Sequence, residues 1–424
     1  MSAALALAAA LAAGPKLFET SFQATSSGEA IATVTARCER CSWGEARREG
    51  AALTLWVDGR YAQHLLLTRG RGPDDYRVAL GTLRAGEHRL KIALDPSWTA
   101  REVGAVSATA AVSETADLAL SLTPVLHARP NTVGRFTDAP LLMWYERLPL
   151  AGGSRLRYSV VFTNEDGGTP IDRLMATWGR TTDIEAVYEA DLDAEGRLLA
   201  DRYQAREHKI KAFRGPREGR HPLLWVSTDN NMVDDHGRRL PRFAPAAVPF
   251  DLTGVSREAV MDAEPWTYRV TAEEVRREGK VAEGASPGSG RIPDPRRFAV
   301  LEGCGEVQDA AIAFDVATAT AAGLRWSASD GGHPEFRIAR SGCFRGAVAL
   351  PDATPAVRTL RLRAHTRLPH KDEPPLPPGT GSARVTRLRL FLPGADYGPQ
   401  PPIFTWSGEA ALSAKGPPWE IEVK

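Results

Sequence analysis

The stretch "ALTLWVDGRYAQHLLLT", residues 52–68, decides the fold of the N-terminal part of the chain. Two apolar runs flank Asp58 and Gly59, and an Asp-Gly pair between such runs is a strong signal for a two-residue hairpin turn. The segment "YRVALGTLRAGEHRLKIAL", residues 76–94, repeats the pattern and predicts a second hairpin. Short strands between turns continue through residues 17–122, which predicts an antiparallel β-sandwich there.

Length and composition extend this prediction to the whole chain. The 424 residues exceed one ordinary core, so about two to three domains are expected. Lys and Arg total 53 against 52 Asp and Glu, a net charge of +1, which argues against nucleic acid as a partner. The 38 Gly and 31 Pro favour many turns over long helices. The predicted fold class is mainly β: several antiparallel β-sandwiches, jelly-roll-like, with a few short helices in the middle domain.

Changes in composition along the chain give the predicted domains. A stretch rich in Gly, Ser and Pro is typical of a linker, and the polar clusters concentrate in the middle third. The predicted segments are a signal peptide at 1–14, a β-sandwich module at 17–122, a central α+β or β-sandwich domain at 123–285, a linker at 286–297 and a C-terminal β-sandwich at 298–424.

The N-terminus "MSAALALAAALAAGPK", residues 1–16, indicates a secretory signal, with an Ala/Leu core followed by small residues. The alternative is an Ala-rich helix of the mature protein. No later segment approaches the ~20 apolar residues of a membrane span. We therefore expect a secreted or periplasmic protein with no integral membrane segment.

The four cysteines favour disulfides, because an even count behind a signal peptide is typical of oxidised proteins. The simplest pairing joins Cys38 to Cys41 and Cys304 to Cys343, since each pair then lies within one domain. A zinc site built from all four thiolates is the alternative. It requires ligands from both ends of the chain, so the disulfides are preferred.

Two short helices are expected near the centre of the chain. In "TPIDRLMATWG" Thr169 can cap the helix, Pro170 suits the first helical position, and Gly179 follows the last turn. In "TAEEVRREGK" Thr271 and Glu274 have the spacing of a capping box.

The stretch "WGRTTDIEAVYEADLDAEGR", residues 178–197, holds the main candidate site. On a strand, Asp183 and Glu185 point to one side about 6.5 to 7 Å apart, and Val187 extends that face inward. Adjacent carboxylates repel unless a cation, an arginine such as Arg180 or a raised pKa relieves them. The alternative is an edge-strand face in solvent.

Further polar residues follow this strand. The loop "DNNMVDDHG", which begins with Asp229, Asn230 and Asn231, is rich in oxygen donors of the kind that bind calcium, although ordinary turn chemistry explains it equally well. The turn "TNEDGGTP", residues 163–170, is expected at the same mouth or as a plain loop. The candidate metal ligands are Asp183, Glu185, His208 and His221.

Two family resemblances accompany these residues. The order "TDIEAVYEADLDAEG…YQAREH…HPLLWVSTDNN", within residues 178–235, resembles the secreted necrosis-inducing proteins and the vacuolar-sorting-like β-sandwich proteins. The resemblance implies a β-sandwich in which Asp183 and Glu185 hold a divalent cation beside a glycan head-group site. The family's histidines before the acidic strand are absent here, and Ile184 replaces the usual tryptophan. The hairpin "LGTLRAGEHRLKI" resembles the jelly-roll modules of carbohydrate-active proteins.

Three functions fit these features. The first is a secreted glycan- or cell-surface-directed protein with a polar, cation-binding site in the central domain, calcium being the first choice. The second is a glycosidase or lyase acting on polysaccharide, with Asp183 and Glu185 as paired catalytic carboxylates in a cleft lined by Trp178, Tyr203 or Trp225. The third is a metal-assisted hydrolase. The P-loop, HExxH and dinucleotide-binding motifs do not occur in the sequence.

Overall fold

A computed structural model gives the structure of most of the chain. The described residues are 14–129, 139–165, 167–237, 241–351 and 356–423. The predicted signal peptide lies outside them except for Gly14. The predicted mainly β fold is confirmed, since antiparallel sheets dominate and the helices are short. Within the described ranges, none of the helices is both long and apolar enough to cross a membrane.

Two compact units divide the chain, and the chain passes between them more than once. The first unit comprises the described residues of Met1–Gly168 and Asp183–Asp251, and the second those of Thr169–Thr182 and Leu252–Lys424. The predicted boundary after residue 122 therefore falls inside the first unit. The stretch predicted as a linker falls inside the second.

The first unit begins with a β-sandwich whose strand pairs are all antiparallel. Its sheets have the orders β1-β6-β3-β4 and β5-β2-β7. The core between them is aliphatic, with Val34, Leu53, Leu55, Leu90 and Ile92 buried. The strands are β1 (Lys16–Ala24), β2 (Gly28–Cys38), β3 (Ala52–Val57), β4 (Arg60–Leu66), β5 (Asp74–Leu83), β6 (Gly86–Asp95) and β7 (Val106–Thr115).

The first predicted hairpin is confirmed and the second is wrong. Strands β3 and β4 pair through a turn in which Asp58 and Gly59 have φ of 50° and 74°, the left-handed values that such turns require. In contrast, β5 pairs with β2, whereas β6 pairs with β1 and β3 in the other sheet. The register of β5 shifts between Ala79 and Gly81, where Gly81 has φ of 89°. A bulge of this kind bends a strand, so β5 leads across the sandwich instead of pairing with its successor.

The remainder of the first unit holds the strand with the acidic pair. One sheet has the order β13-β12-β11-β10-β9-β18, and the other has the order β14-β15-β8-β17 with β16 on β15. Their shared core includes Tyr158, Val160, Phe162, Tyr188 and Leu224. The elements are α1 (Leu118–Ser121), β8 (Val125–His127), β9 (Pro140–Leu150), β10 (Gly153–Phe162), β11 (Ile184–Asp193), β12 (Leu198–Ala205), β13 (Lys209–Ala212), β14 (Arg217–Glu218), β15 (His221–Val226), β16 (Val233–Asp234), β17 (Arg242–Phe243) and β18 (Val248–Pro249).

The second unit is a β-sandwich with helices packed against it. Its sheets have the orders β22-β19-β24-β25 and β21-β20-β23-β26, and they enclose a core that includes Phe314, Phe344 and Leu388. The elements are α2 (Ile171–Trp178), α3 (Ala259–Ala263), α4 (Trp266–Arg277), β19 (Phe298–Gln308), β20 (Ala310–Thr320), β21 (Gly323–Ala328), β22 (Gly342–Ala349), β23 (Val357–Thr366), β24 (Ser382–Phe391), β25 (Phe404–Ser413) and β26 (Trp419–Glu422).

Of the local signals for helix ends, the one for the C-terminus of α2 was correct, whereas those for the N-termini of α2 and α4 were wrong. Gly179 ends α2 with φ of 64°, as predicted. The start differs, because Pro170 occupies the N-cap and Thr169 precedes it. The predicted capping box is also wrong: α4 begins at Trp266, so Thr271 lies inside the helix. Burial of Tyr268 and Val270 extends the helix past the local signal, as tertiary packing often does.

Both predicted disulfides are confirmed. Cys38 is bonded to Cys41 and Cys304 to Cys343, and none of the four cysteines is free. Cys304 and Cys343 are register partners on β19 and β22, so the second disulfide joins neighbouring strands. The alternative zinc site is therefore wrong, because the four sulfurs are covalently paired.

Candidate functional site

The acidic pair lies where β11 begins. Asp183 directly precedes the strand, and its carbonyl oxygen accepts a hydrogen bond from the Phe162 N–H at 3.2 Å. Glu185 lies opposite Val160, a core residue, so the Glu185 side chain projects from the same, inward face of the sheet. The register between β10 and β11 then shifts between Tyr158 and Ser159, which changes the alternation of side chains along β11. Beyond the shift, the inward-facing positions of β11 begin again at Tyr188. The two carboxylates therefore point toward the end of the sandwich interior.

Asp183 is held by a buried amide. The Nδ2 of Asn231 donates to Asp183 Oδ2 at 3.3 Å and to the Asn164 carbonyl oxygen at 2.8 Å. Asn231 is fully buried and has φ of 55°, a conformation that asparagine tolerates better than most residues. Its Oδ1 is also buried and accepts no hydrogen bond from the residues that the structure describes. Among those residues, the loop after β15 thus brings an amide oxygen without a partner close to a buried carboxylate.

A second loop closes the same region. Glu165 is 7% exposed, and a Cβ added at Gly168 would overlap both its Oε1 and the Asn230 side chain. A Cβ at Gly167 would meet Asp229. The glycines thus let the turn at 163–168 approach the loop at 228–231 closely. Asp166 lies outside the described residues. We call Asn164, Glu165, Asp183, Glu185 and Asn231 the acidic mouth.

Gln204 connects Glu185 to the neighbouring strand and was not among the predicted residues. Its Nε2 donates to Glu185 Oε2, lies 3.4 Å from His208 Nδ1 and contacts the sulfur of Met232 at 3.6 Å. His208 is exposed, in a turn after β12. The only sequence signal for Gln204 was its place four residues before that histidine.

His221 does not join the acidic mouth. Its Nε2 lies 3.0 Å from Glu29 Oε2 and its Nδ1 lies 2.8 Å from the Thr123 carbonyl oxygen. Burial is the largest single effect and lowers the pKa of His221, but the hydrogen bond and charge of Glu29, with the Thr123 carbonyl and the charge of Glu218, together raise it. Both ring nitrogens are occupied, so the predicted set of four metal ligands is not assembled around His221.

Trp178 and Arg180 belong to the second unit. The Arg180 guanidinium forms an ion pair with Glu258, and both residues are buried. Burial opposes the charge of Glu258, but Arg180 and Arg345 hold its pKa below the usual value. The ring of Trp178 lies 5.6 Å from the Arg180 guanidinium and 5.4 Å from that of Arg340. The charge of Arg180 is therefore compensated within its own unit.

The remaining predicted binding residues have local partners. Tyr203 is a core residue whose hydroxyl donates to Asp234 Oδ1 at 3.1 Å, and burial raises the pKa of its phenol. Asp229 forms an ion pair with Arg129 and remains largely exposed. Asn230 Oδ1 accepts the Thr228 hydroxyl at 2.8 Å. Of these residues, Asp229 and Asn230 lie next to the acidic mouth, whereas Tyr203 packs in the core.

A separate group of titratable side chains follows β15. One ligand atom each from Asp234, Asp235 and His236 lies within 4.8 Å of the others. The hydrogen bond to Asp235, at 3.0 Å, raises the pKa of the His236 ring. The group is a compact ion-pair cluster on the loop predicted to be rich in oxygen donors.

Similarity to known proteins is weak. No protein-family model and no curated protein matches the sequence. One similar solved structure is NLPPya in complex with mannosamine, at 10% identity and a TM-score of 0.23 over 43% of this chain and 86% of that chain. Another is DesR, a β-glucosidase from Streptomyces venezuelae in complex with D-glucose, at 10% identity and a TM-score of 0.19 over 84% of this chain and 45% of that chain. Both weak structural neighbours are sugar complexes, and neither score establishes a shared fold.

Proposed function

We propose that this is a secreted, glycan- or cell-surface-directed protein whose acidic mouth binds a divalent cation. The observation that carries the proposal is the buried Asn231 Oδ1, which accepts no hydrogen bond within the described part of the chain. A buried polar atom without a partner costs about 1–3 kcal/mol, and a cation would remove that cost. The Nδ2 of the same amide donates to Asp183, so one side chain carries both the oxygen without a partner and the donor to the carboxylate.

The donor types favour calcium. The oxygens of Asp183, Asn231 and Glu165 are hard ligands, and hard ligands select calcium or magnesium over zinc. His208 is exposed at the edge of the site and His221 is engaged elsewhere, so imidazole is not a central ligand. We expect Asp183 and Asn231 to bind the ion directly, with Glu185 at the rim.

A calcium ion at the acidic mouth would also provide a way to bind a glycan. Calcium takes six to eight oxygen ligands, so an ion bound by a few side chains keeps positions open for sugar hydroxyls. The rim provides polar groups for recognition, among them Asp229, Asn230 and the half-buried Glu185. Glycan binding is therefore expected to depend on the cation.

Secretion is supported by the two disulfides. Disulfides persist in oxidising compartments and are rare where thiols are kept reduced. An extracellular or periplasmic protein would also meet calcium at concentrations that suit modest affinity.

The test is calorimetric titration and thermal shift of the protein with Ca²⁺, Mn²⁺ and Zn²⁺. We expect Ca²⁺ to raise the melting temperature of the wild type and not that of Asp183→Ala/Glu185→Ala, because an ion that binds only the folded state stabilises it by mass action. At a concentration of about 100 times the dissociation constant, the gain is about 2.7 kcal/mol. Glu195→Ala is the matched control, since Glu195 is an exposed carboxylate in the turn after β11.

The second arm of the test uses glycan arrays with and without a chelator. Glycan binding that the chelator and the double substitution both abolish supports the proposal. An equal ion effect in the double variant, or none in the wild type, would remove the acidic mouth as a cation site. Release of reducing sugar from a bound polysaccharide would instead support the glycosidase or lyase hypothesis.

A further inference from the structure

The second unit contains a cavity of about 290 Å³, separate from the acidic mouth. One wall is helix α2, another is the start of β19 and the end of β22, and a third is the segment at 285–293. The lining includes Ala176, Ala347 and Ala349, and because their side chains are small the space between the walls is left unfilled. The volume approaches that of small-molecule sites in proteins, which begin near 300 Å³.

A buried carboxylate faces this cavity. Asp172 lines it and is 6% exposed. Its Oδ1 accepts the N–H of Arg173 and its Oδ2 accepts the N–H of Gly290, each at 3.0 Å. The ion pairs of the described residues do not include Asp172. A carboxylate can accept about four hydrogen bonds, so Asp172 retains capacity for donors of a ligand.

The other lining groups restrict the chemistry of that ligand. Arg291 adds donors, Ser327 adds a hydroxyl, and the rings of Phe298 and Phe336 add apolar surface. A ligand carboxylate would be attracted by Arg291 but repelled by Asp172, and an amine would experience the reverse, so the lining as a whole favours neither charge. A neutral ring that both donates and accepts hydrogen bonds and has an apolar C–H face suits every group.

The segment that closes the cavity is docked, although its composition predicted a linker. Gly290 donates to Asp172, and Ile292 is buried. Gly288 has φ of 82°, and a Cβ there would lie 2.5 Å from the Cε1 of His333. The His333 ring is stacked on Phe336 at 5.0 Å. The glycines thus let the segment approach a wall whose aromatic ring is itself held in place.

We propose that this cavity is a binding site for a single neutral pyranose, such as a terminal sugar of a glycan. Asp172 accepts from ring hydroxyls, Arg291 and Ser327 bind hydroxyl oxygens, and the phenylalanine rings contact the C–H face. The site lies in the second unit and does not depend on a cation at the acidic mouth.

The experiment titrates the full chain with the methyl glycosides of glucose, mannose, galactose and N-acetylglucosamine, by saturation-transfer NMR and calorimetry. Asp172→Asn should weaken binding about tenfold, or about 1.4 kcal/mol, because it removes the charge of the acceptor for the ring hydroxyls. Ser327→Leu should abolish binding by filling the cavity from a partly exposed strand position. Asp183→Ala/Glu185→Ala should leave this binding unchanged, which separates it from the proposed function.

Thermal melting checks that each variant is folded. If Asp172→Asn does not fold, binding by Ser327→Leu tests the proposal. The proposal is overturned if the wild type binds none of the four glycosides, or if both folded variants bind them as the wild type does. Stronger binding of a simple amine or carboxylate than of any glycoside would also overturn it.

Discussion

His221 illustrates how one side chain can have a structural role in place of a predicted chemical one. It is 2% exposed and hydrogen-bonds to Glu29 on β2 and to the main chain at Thr123. The contact joins strands of two different sandwiches within the first unit. A histidine that would have been a metal ligand is therefore a buried, charge-assisted link between sheets.

This role gives a prediction about pH. Burial lowers the folded-state pKa of His221, but Glu29, the Thr123 carbonyl and Glu218 together raise it above the reference value of 6.5. Its contribution to stability is therefore fully present below about pH 6.5 and is lost as pH rises through the folded-state pKa. We expect His221→Gln to lower the free energy of unfolding by about 1–3 kcal/mol at low pH and by less at high pH. Urea unfolding at about pH 5.5 and about pH 8 measures both values.

Glu29→Gln is the companion variant, because it removes the acceptor and keeps the shape. It should reduce the pH dependence to a similar extent, and the double variant should add little to either change. If Glu29→Gln retains the wild-type pH dependence, the protonated His221–Glu29 pair is not its source.

At the scale of elements, the two disulfides constrain loops of very different length. The sequence separation is 39 residues for Cys304 and Cys343 but 3 for Cys38 and Cys41. Closing a longer loop removes more entropy from the unfolded chain. The disulfide between β19 and β22 should therefore contribute more to stability.

The prediction compares two double substitutions. We expect Cys304→Ala/Cys343→Ala to cost about 2–4 kcal/mol of unfolding free energy, and Cys38→Ala/Cys41→Ala to cost less. Chemical denaturation of the full chain under identical conditions measures both. An equal or larger cost for the Cys38–Cys41 pair would show that loop entropy does not dominate at these sites.

At the scale of the whole molecule, helix α2 belongs to the second unit, although its residues lie between the two sequence segments that form the first unit. Ile171, Leu174 and Met175 on α2 pack against a cluster that includes Phe298 and Phe391. These partners lie more than 100 residues further along the chain. The compact units therefore cannot be obtained by cutting the chain at a single point.

A fragment of residues 14–251 tests this arrangement. It keeps α2 and removes the partners of its apolar face, so we expect dye binding to exposed apolar surface and proteolytic cleavage between residues 169 and 182. The full chain should show neither. The matched control replaces Ile171, Leu174 and Met175 of the fragment by serine, which should reduce the dye binding. A fragment that is protected from cleavage there would show that α2 does not depend on the second unit.

Local patterns in the sequence were sufficient to predict the β class, the Asp58-Gly59 turn, the end of α2 at Gly179 and both disulfides. Each of these depends on residue types a few positions apart, or on a cysteine count. Strand periodicity also predicted Asp183 and Glu185 on one face, and Asp183 lies directly before the first residue of β11. The bulge between Glu185 and Tyr188, which changes the residues of β11 that point inward, could not be predicted because it depends on the register with β10.

Only the tertiary structure decided which side chains are partners. Asn231 meets Asp183 across 48 residues, Arg180 meets Glu258 across 78, and His221 meets Glu29 across 192. The docking of the glycine-rich segment on Asp172 spans 118 residues. Periodicity and turn chemistry act over a few residues, whereas these partners depend on which strands pair and which helix packs where. For that reason the sequence by itself located the acidic strand, and the fold determined what surrounds it.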